Sequence, residues 1–309
     1  MLGLLRPAMK ILLSVLCVLW AIPLHAEDIN VAAASDLNFA IKEIIPEFER
    51  DTGHKVRFTL GSSGSFYAQI VNGAPFDVFL SADLDFAARL EKNGRAVPGS
   101  TFVYGVGSIS LWVRKTSPIN LDLRGMQALL DPSVRKIAIA NPDHAPYGRA
   151  AVAAMQTAKV YDRVKGKLVL GENISQAAQF VESGAADIGI IAISIAASEP
   201  MSRMGRHWRI PQNMYPVLDQ GAVLLKRAGS GGKAFHEWLR GPGGVFEVEM
   251  EVPDRSGGRA ALGASADGSG FLRSRCDGPA EPGRTLVRIH CWPRASLHVR
   301  RPGCGLSPL

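Results

Sequence analysis

The central part of this sequence has no cysteine. The chain has four cysteines, and they lie near its two ends: Cys17, Cys276, Cys291 and Cys304. Residues 27–254 therefore hold neither a disulfide nor a thiol. This excludes a disulfide framework and any function that needs a thiol from that part of the chain.

The central part also lacks the positive charge of the whole chain. The full sequence carries a formal charge of +7 at neutral pH. Residues 1–26 contribute +2 and residues 255–309 contribute +6, which leaves −1 for residues 27–254. A basic surface for nucleic acid is therefore not predicted for this part, and we expect no nucleic-acid partner.

The motifs of common enzyme classes are missing as well. No Gly-x-Gly-x-x-Gly or Gly-Lys-Ser/Thr motif follows a predicted strand, and "GSSG" at 61–64 misses the spacing of a nucleophile elbow. No two histidines of residues 27–254 form an i, i+4 metal pair, and His144 is interpreted as an exposed loop residue. Asp77, Asp83 and Asp187 are interpreted as turn or strand-edge residues. We predict neither an enzyme nor a bound cofactor.

Residues 1–26 have the pattern of a signal peptide. Arg6 and Lys10 precede an apolar run from Ile11 to Ile22. The run is shorter than the roughly 20 residues that a membrane span needs. Met9 is an alternative start. The pattern predicts export to the periplasm.

Residues 255–309 differ in composition from the rest of the chain. They contain nine Arg, no Lys and three acidic residues, with many Gly, Pro and Ser and no amphipathic period. This composition favours a disordered extension or the product of a frameshift. A basic arm for nucleic acid or membrane is the alternative.

Strand-like and helix-like segments alternate through the central part. The predicted strands are Ile29–Ala33, Lys55–Leu60, Asp77–Ala82, Phe102–Val113, Lys136–Ala140, Lys167–Leu170, Asp187–Ile193 and Val217–Leu225. The predicted helices are Leu37–Phe48, Ser65–Val71, Leu84–Lys92, Gly232–Leu239 and two that begin at Gly148 and Ser175. Near-continuous apolar strands alternating with helices favour an α/β fold with parallel-rich sheets flanked by helices.

Four strand-to-helix junctions share an unusual composition. They are "AAASD" at 32–36, "GSSGS" at 61–65, "NPDHAPYG" at 141–148 and "GENISQ" at 171–176. Each places small or polar residues where a helix start leaves backbone N–H groups free, and none contains Lys or Arg. Neutral N–H and O–H donors suit a fully deprotonated tetrahedral oxyanion. Asp36 and Glu172 are expected to cap helices or face their dipoles from outside.

The chain resembles the periplasmic molybdate-binding proteins of molybdate ABC importers from about Asp28 to Pro253. The resemblance is carried by "AAASDLNFAIKEI", "GSSGSFYAQIVNGAPFDVFLSAD", "IAIANPDHAPYGRAA", "LVLGENISQAAQFVESGAADIGIIAIS" and "WLRGP". It implies a two-lobed type II periplasmic-binding fold with a hinge between the lobes. The chain departs from the family at "GPGGVFEVEMEVP", where members usually have a closing strand of another pattern.

The resemblance also implies the domain organisation and the site. The expected domains are the signal peptide 1–26, lobe 1 at 27–107, lobe 2 at 108–216, a return to lobe 1 at 217–254 and the tail 255–309. By position, the molybdate-binding residues are Ser35, Ser63, Tyr147 and Ile174, with Ser62 and Ala192 as further candidates. They contact molybdate oxygens, and none is a direct ligand of molybdenum.

The expected function is capture of molybdate, with tungstate also bound because of its similar size. The resemblance implies delivery to an ABC permease in the inner membrane by a monomeric protein. Two alternatives stay open: a binder of another oxyanion such as sulfate, and a small-molecule enzyme or effector domain on the same fold. Sulfate differs from molybdate in the cavity size that it needs, and an enzyme would need a titrating pair that the sequence does not offer.

Overall fold

The computed structural model describes residues 27–241. The predicted signal peptide and the predicted tail lie outside the described residues, as does the departure from the family pattern after residue 241. Within the described residues, no helix is both long enough and apolar enough to cross a membrane.

The first sheet has five strands in the order β2-β1-β3-β10-β4. Its strands are β1 Asp28–Ala34, β2 Lys55–Gly61, β3 Val78–Ser81, β4 Phe102–Gly107 and β10 Leu218–Leu224. β1 pairs in parallel with β2 and β3, whereas β10 pairs antiparallel with β3 and β4.

The second sheet repeats this arrangement with the order β7-β6-β8-β5-β9. Its strands are β5 Ile109–Arg114, β6 Ile137–Ala140, β7 Leu168–Gly171, β8 Ile188–Ala192 and β9 Gly205–Arg209. β6 pairs in parallel with β7 and β8, and β5 pairs antiparallel with β8 and β9. The chain therefore passes between the two sheets twice, from β4 to β5 and from β9 to β10.

Helices cover the sheets. They are α1 Ala40–Thr52, α2 Ser63–Val71, α3 Leu84–Lys92, α4 Leu121–Arg124, α5 Pro146–Thr157, α6 Tyr161–Val164, α7 Ile174–Ser183, α8 Ile193–Ala196, α9 Glu199–Met204 and α10 Ser230–Arg240. Short 3-10 turns lie at Ser35–Leu37, Gly125–Leu130, Lys165–Lys167 and Gln212–Met214. The predicted two-lobed α/β fold with mixed sheets is confirmed.

Local sequence explains where these helices begin and which face they bury. In α1, Ile41, Ile44 and Phe48 fall on one face and are buried against the first sheet, because they recur at helical spacing. The side chain of Ser62 accepts a hydrogen bond from the backbone of Ser65 and so caps α2. Comparable side-chain caps begin α3 and α7, at Asp83 and Asn173.

The hydrophobic core follows the two sheets. One large cluster fills the second sheet and its helices, and its largest fully buried side chain is Trp112. Two smaller clusters lie in the lobe of the first sheet, one with α1 and α10 and the other with α2 and α3. The large cluster also includes Ala34, Ala82 and Leu218 of the first lobe, so apolar packing continues across the interface between the lobes.

Candidate functional site

The four strand-to-helix junctions with small and polar residues meet between the two sheets. They follow the C-terminal ends of β1, β2, β6 and β7, which is the edge where open α/β sheets bind ligands. The junctions enclose a small cavity of about 10 Å³. Its lining residues are Ala34, Ser35, Asp36, Gly61, Ser62, Ser63, Ala82, Ala145, Pro146, Tyr147 and Ile174. A cavity of this size is close to the least that holds one water molecule.

Two serine hydroxyls in the lining are held as donors. Oγ of Ser63 accepts the backbone N–H of Ala82 at 2.9 Å, and Oγ of Ser35 accepts the N–H of Ser175 at 3.3 Å. A hydroxyl has one proton to donate. Because each oxygen already accepts a backbone N–H, each hydroxyl proton is left for a group in the cavity.

Three α-helices add backbone donors to the same cavity. Ser63 begins α2, Tyr147 is the second residue of α5 and Ile174 begins α7. The N–H groups at these positions have no acceptor within their own helix, and a helix start favours a negative group. At Ser35 the element is a three-residue 3-10 turn, so this residue contributes chiefly its hydroxyl.

The structure places Asp36 differently from the sequence interpretation. Its carboxylate is buried between the lobes instead of capping a helix from outside. Oδ2 accepts the hydroxyl proton of Tyr147 at 3.0 Å and Nε2–H of Gln220 at 2.6 Å. Glu172 does lie outside, as predicted, because its side chain is exposed. The sequence interpretation was wrong for Asp36 because Asp36 continues the turn after β1 into the interface.

This contact also decides where the Tyr147 hydroxyl points. Its proton goes to Asp36, and its oxygen accepts a hydrogen bond from Nε2 of Gln220 at 3.0 Å. Gln220 lies on β10 of the first sheet and Tyr147 on α5 of the second lobe, so the network joins the lobes. Gln220 was not predicted from the sequence, because it lies inside a predicted strand and belongs to no recognisable motif.

Burial controls the protonation of this network. It raises the pKa of Asp36 above its ordinary value, and the hydrogen bonds from Gln220 and Tyr147 offset part of that rise. Burial, followed by the nearby carboxylate of Asp36, raises the pKa of Tyr147 well above its ordinary value. Tyr104 also has its pKa raised well above the ordinary value by burial and by Asp36. Both tyrosines are therefore neutral donors at physiological pH.

Ser62 and His144 form a second contact between the lobes. Oγ of Ser62 lies 2.8 Å from Nδ1 of His144, and the backbone N–H of Gly64 donates to the carbonyl of His144 at 2.9 Å. His144 is thus partly buried in the interface, which corrects its interpretation as an exposed loop residue. Ser62 caps α2 and contacts His144 at once, and both roles occupy its hydroxyl.

Further contacts close the rim of the cavity. Oγ of Ser175 donates to the carbonyl of Ser35 at 2.8 Å, and Oγ of Ser194 donates to the carbonyl of Asp36 at 3.0 Å. Arg149 of the second lobe forms an ion pair with Asp83 of the first. These contacts leave the cavity enclosed by both lobes.

The remaining candidate, Ala192, lies outside the lining. It ends β8, pairs with Ile109 of β5 and belongs to the hydrophobic core of the second lobe. It has no side-chain donor to offer. Among residues 27–241, no group of three His, Cys, Asp or Glu side chains is placed to hold a metal ion.

Comparisons with known proteins agree with this architecture. The family of bacterial extracellular solute-binding proteins matches residues 29–245. The chain is 40% identical over 224 residues to the molybdate-binding protein ModA of Rhodobacter capsulatus, covering 72% of this chain and 86% of that protein. It is 40% identical over 220 residues to ModA of Azotobacter vinelandii, covering 71% and 86%.

Structural comparison also finds a molybdate-binding protein. The periplasmic molybdate-binding protein of Azotobacter vinelandii superposes with a TM-score of 0.65 at 34% identity, covering 70% of this chain and 94% of that one. The resemblance predicted from the sequence is confirmed.

Proposed function

Since the chain belongs to the family of bacterial extracellular solute-binding proteins, we propose that it captures molybdate between its two lobes. The observation that carries the proposal is the enclosed cavity with serine hydroxyls, three α-helix starts and no lysine or arginine in its lining. The named relatives that bind molybdate support the choice of this oxyanion. Tungstate has nearly the same size and charge, and the same donors would bind it.

The proposed donors are the residues that the sequence indicated, with altered roles. Ser35 and Ser63 donate hydroxyl protons, and Ser63, Tyr147 and Ile174 donate backbone N–H groups. The side chain of Tyr147 holds Asp36 instead of the anion. Ser62 supports the site from α2, and Ala192 contributes packing of the second lobe alone.

Binding follows from the two-lobe arrangement. In the open protein the donors of each lobe are hydrated, and the anion first replaces water on one lobe. Contact with the donors of the other lobe then stabilises the closed form, because only that form satisfies both sets.

We place the hinge at the two passages between the sheets. Lobe 1 then comprises residues 27–107 and the return from 217, and lobe 2 comprises residues 108–216. Gly107 ends β4 beside the first passage, where a Cβ atom would lie 2.6 Å from the Tyr147 hydroxyl. The absence of a side chain at this position lets the hinge strand approach Tyr147.

The proposed capture of molybdate also implies a cellular role. The relatives are solute-binding transport proteins, so the chain acts by capture and release without turnover and needs no cofactor. We propose that it works as a monomer in the periplasm and passes its anion to an ABC permease of the inner membrane.

Isothermal titration calorimetry of the purified protein tests the proposal. Molybdate and tungstate are expected to bind one to one, with sulfate and phosphate binding at least about tenfold more weakly, a difference of about 1.4 kcal/mol. Tight binding of sulfate without molybdate would keep the fold and overturn the substrate. A folded protein that binds none of these anions would overturn capture of an oxyanion.

A further inference from the structure

A buried carboxylate lines the cavity that is proposed to receive an anion. Asp36 is part of the lining and is almost fully buried. Its Oδ2 is satisfied by Tyr147 and Gln220, but its Oδ1 has no hydrogen-bond partner. A buried carboxylate oxygen without a partner costs free energy, and the cavity is the place from which a partner can reach it.

No cation compensates the charge of Asp36. Among residues 27–241, no Lys, Arg or His side chain forms a hydrogen bond or an ion pair with its carboxylate, whose Oδ2 is bonded by Tyr147 and Gln220. The titratable groups around it are Tyr147 from α5, Tyr104 from β4 and Tyr215, which lies near Tyr147. Arg149, the nearest cation along α5, is paired with Asp83 at the rim. An ionised Asp36 would therefore meet a bound dianion at close range with no cation to offset the repulsion.

One bound proton removes the repulsion between the Asp36 carboxylate and the anion. Placed between Oδ1 and an oxygen of the anion, it gives Oδ1 a hydrogen bond and lowers the total charge in the cavity by one. We propose that Asp36 is a specificity-determining residue of this site, and that the site binds its oxyanion together with one proton shared between Oδ1 of Asp36 and the anion. This inference rests on the proposed function and adds an acceptor to a cavity otherwise lined by donors.

The proposal predicts the direction in which affinity changes with pH. An anion in the closed cavity raises the pKa of Asp36, so the closed complex holds a proton that the open protein has released. Affinity is greatest below the pKa of Asp36 in the open protein. It falls by about tenfold per pH unit above that pKa, until the complex also loses its proton.

The experiment is a calorimetric titration with molybdate in two buffers of different ionisation enthalpy, repeated at several pH values across the range in which the protein stays folded. The wild-type protein is expected to take up about one proton per anion over part of this range, with a parallel loss of affinity. In Asp36→Asn, the amide nitrogen can donate to the anion without carrying charge. On binding molybdate, that variant is expected to take up about one proton fewer than the wild type. At about pH 8 it is expected to bind molybdate more tightly than the wild type.

Asp77→Asn is the matched control, because Asp77 is also a buried carboxylate of the first lobe but lies outside the cavity lining. Its proton uptake is expected to equal that of the wild type. Wild-type binding with no proton uptake and an affinity independent of pH would overturn the role of Asp36 alone. No molybdate binding by folded wild-type protein would instead overturn the proposed function. If Asp36→Asn fails to fold, the number of protons that the wild type takes up per anion still decides whether the proposal holds.

Discussion

At the scale of single residues, serine hydroxyls are the proposed donors to the anion, and Ser63 shows how one of them is held. Its oxygen accepts the N–H of Ala82, which fixes the side chain and leaves its proton for the cavity. The residue therefore links the end of β3 to the cavity through one atom. Ser35 does the same across the interface through Ser175.

We expect Ser63→Ala to weaken molybdate binding by roughly 10- to 100-fold, since a hydrogen bond to a charged group contributes about 1.5–3 kcal/mol. The substitution also leaves the Ala82 N–H without its acceptor, which lowers the free energy of unfolding by about 1–3 kcal/mol. Calorimetry and thermal unfolding measure the two effects separately.

Ser183→Ala is the control for that substitution. Ser183 ends α7 on the exposed surface, away from the cavity. Its replacement is expected to leave the affinity within experimental error. Equal affinity of Ser63→Ala and wild type would show that the hydroxyl makes no contact with the anion.

At the scale of elements, the closed form depends on how near α2 comes to the loop before α5. Gly64 is the second residue of α2, and a Cβ atom there would lie 2.6 Å from the carbonyl oxygen of His144. The two residues belong to different lobes. A side chain at position 64 therefore obstructs closure while touching no donor to the anion.

Gly64→Ala is expected to weaken molybdate binding by about tenfold or more, because overpacking of a fixed contact costs about 1–3 kcal/mol. The open protein is expected to fold normally, since Ala is a better helix residue than Gly. Calorimetry gives the affinity, and small-angle scattering with and without molybdate reports closure.

Gly166→Ala serves as the comparison, because a Cβ atom at Gly166 would meet no atom within 4 Å. That variant is expected to bind and close as the wild type does. If Gly64→Ala binds as tightly as Gly166→Ala, the contact between α2 and His144 is absent from the liganded form.

The elements also show what sequence patterns can predict. The junctions after β1, β2, β6 and β7 were predictable because small and polar residues follow strand-like segments there. β9 was missed, since Gly205–Arg209 is an edge strand with charged, partly exposed residues and no apolar run. The Asp36, Tyr147 and Gln220 network was missed because its members are far apart in sequence and come together only in the folded protein.

The whole molecule is built from one arrangement used twice. Each sheet has three neighbouring parallel strands, then one strand antiparallel to them and an edge strand antiparallel to that one. The chain passes between the lobes after β4 and after β9. The helix starts of both lobes consequently face each other across one cavity. A nearly neutral folded part and a cation-free lining suit an anion that is held by dipoles and then released.

The most direct test of this account is a crystal structure with molybdate, with anomalous diffraction collected at the molybdenum absorption edge. We expect one strong anomalous peak in the cavity between the lobes, with anion oxygens within hydrogen-bond distance of the Ser35 and Ser63 hydroxyls and the backbone N–H groups of Tyr147 and Ile174. A single peak elsewhere, or a peak that contacts one lobe alone in a closed protein, would contradict it.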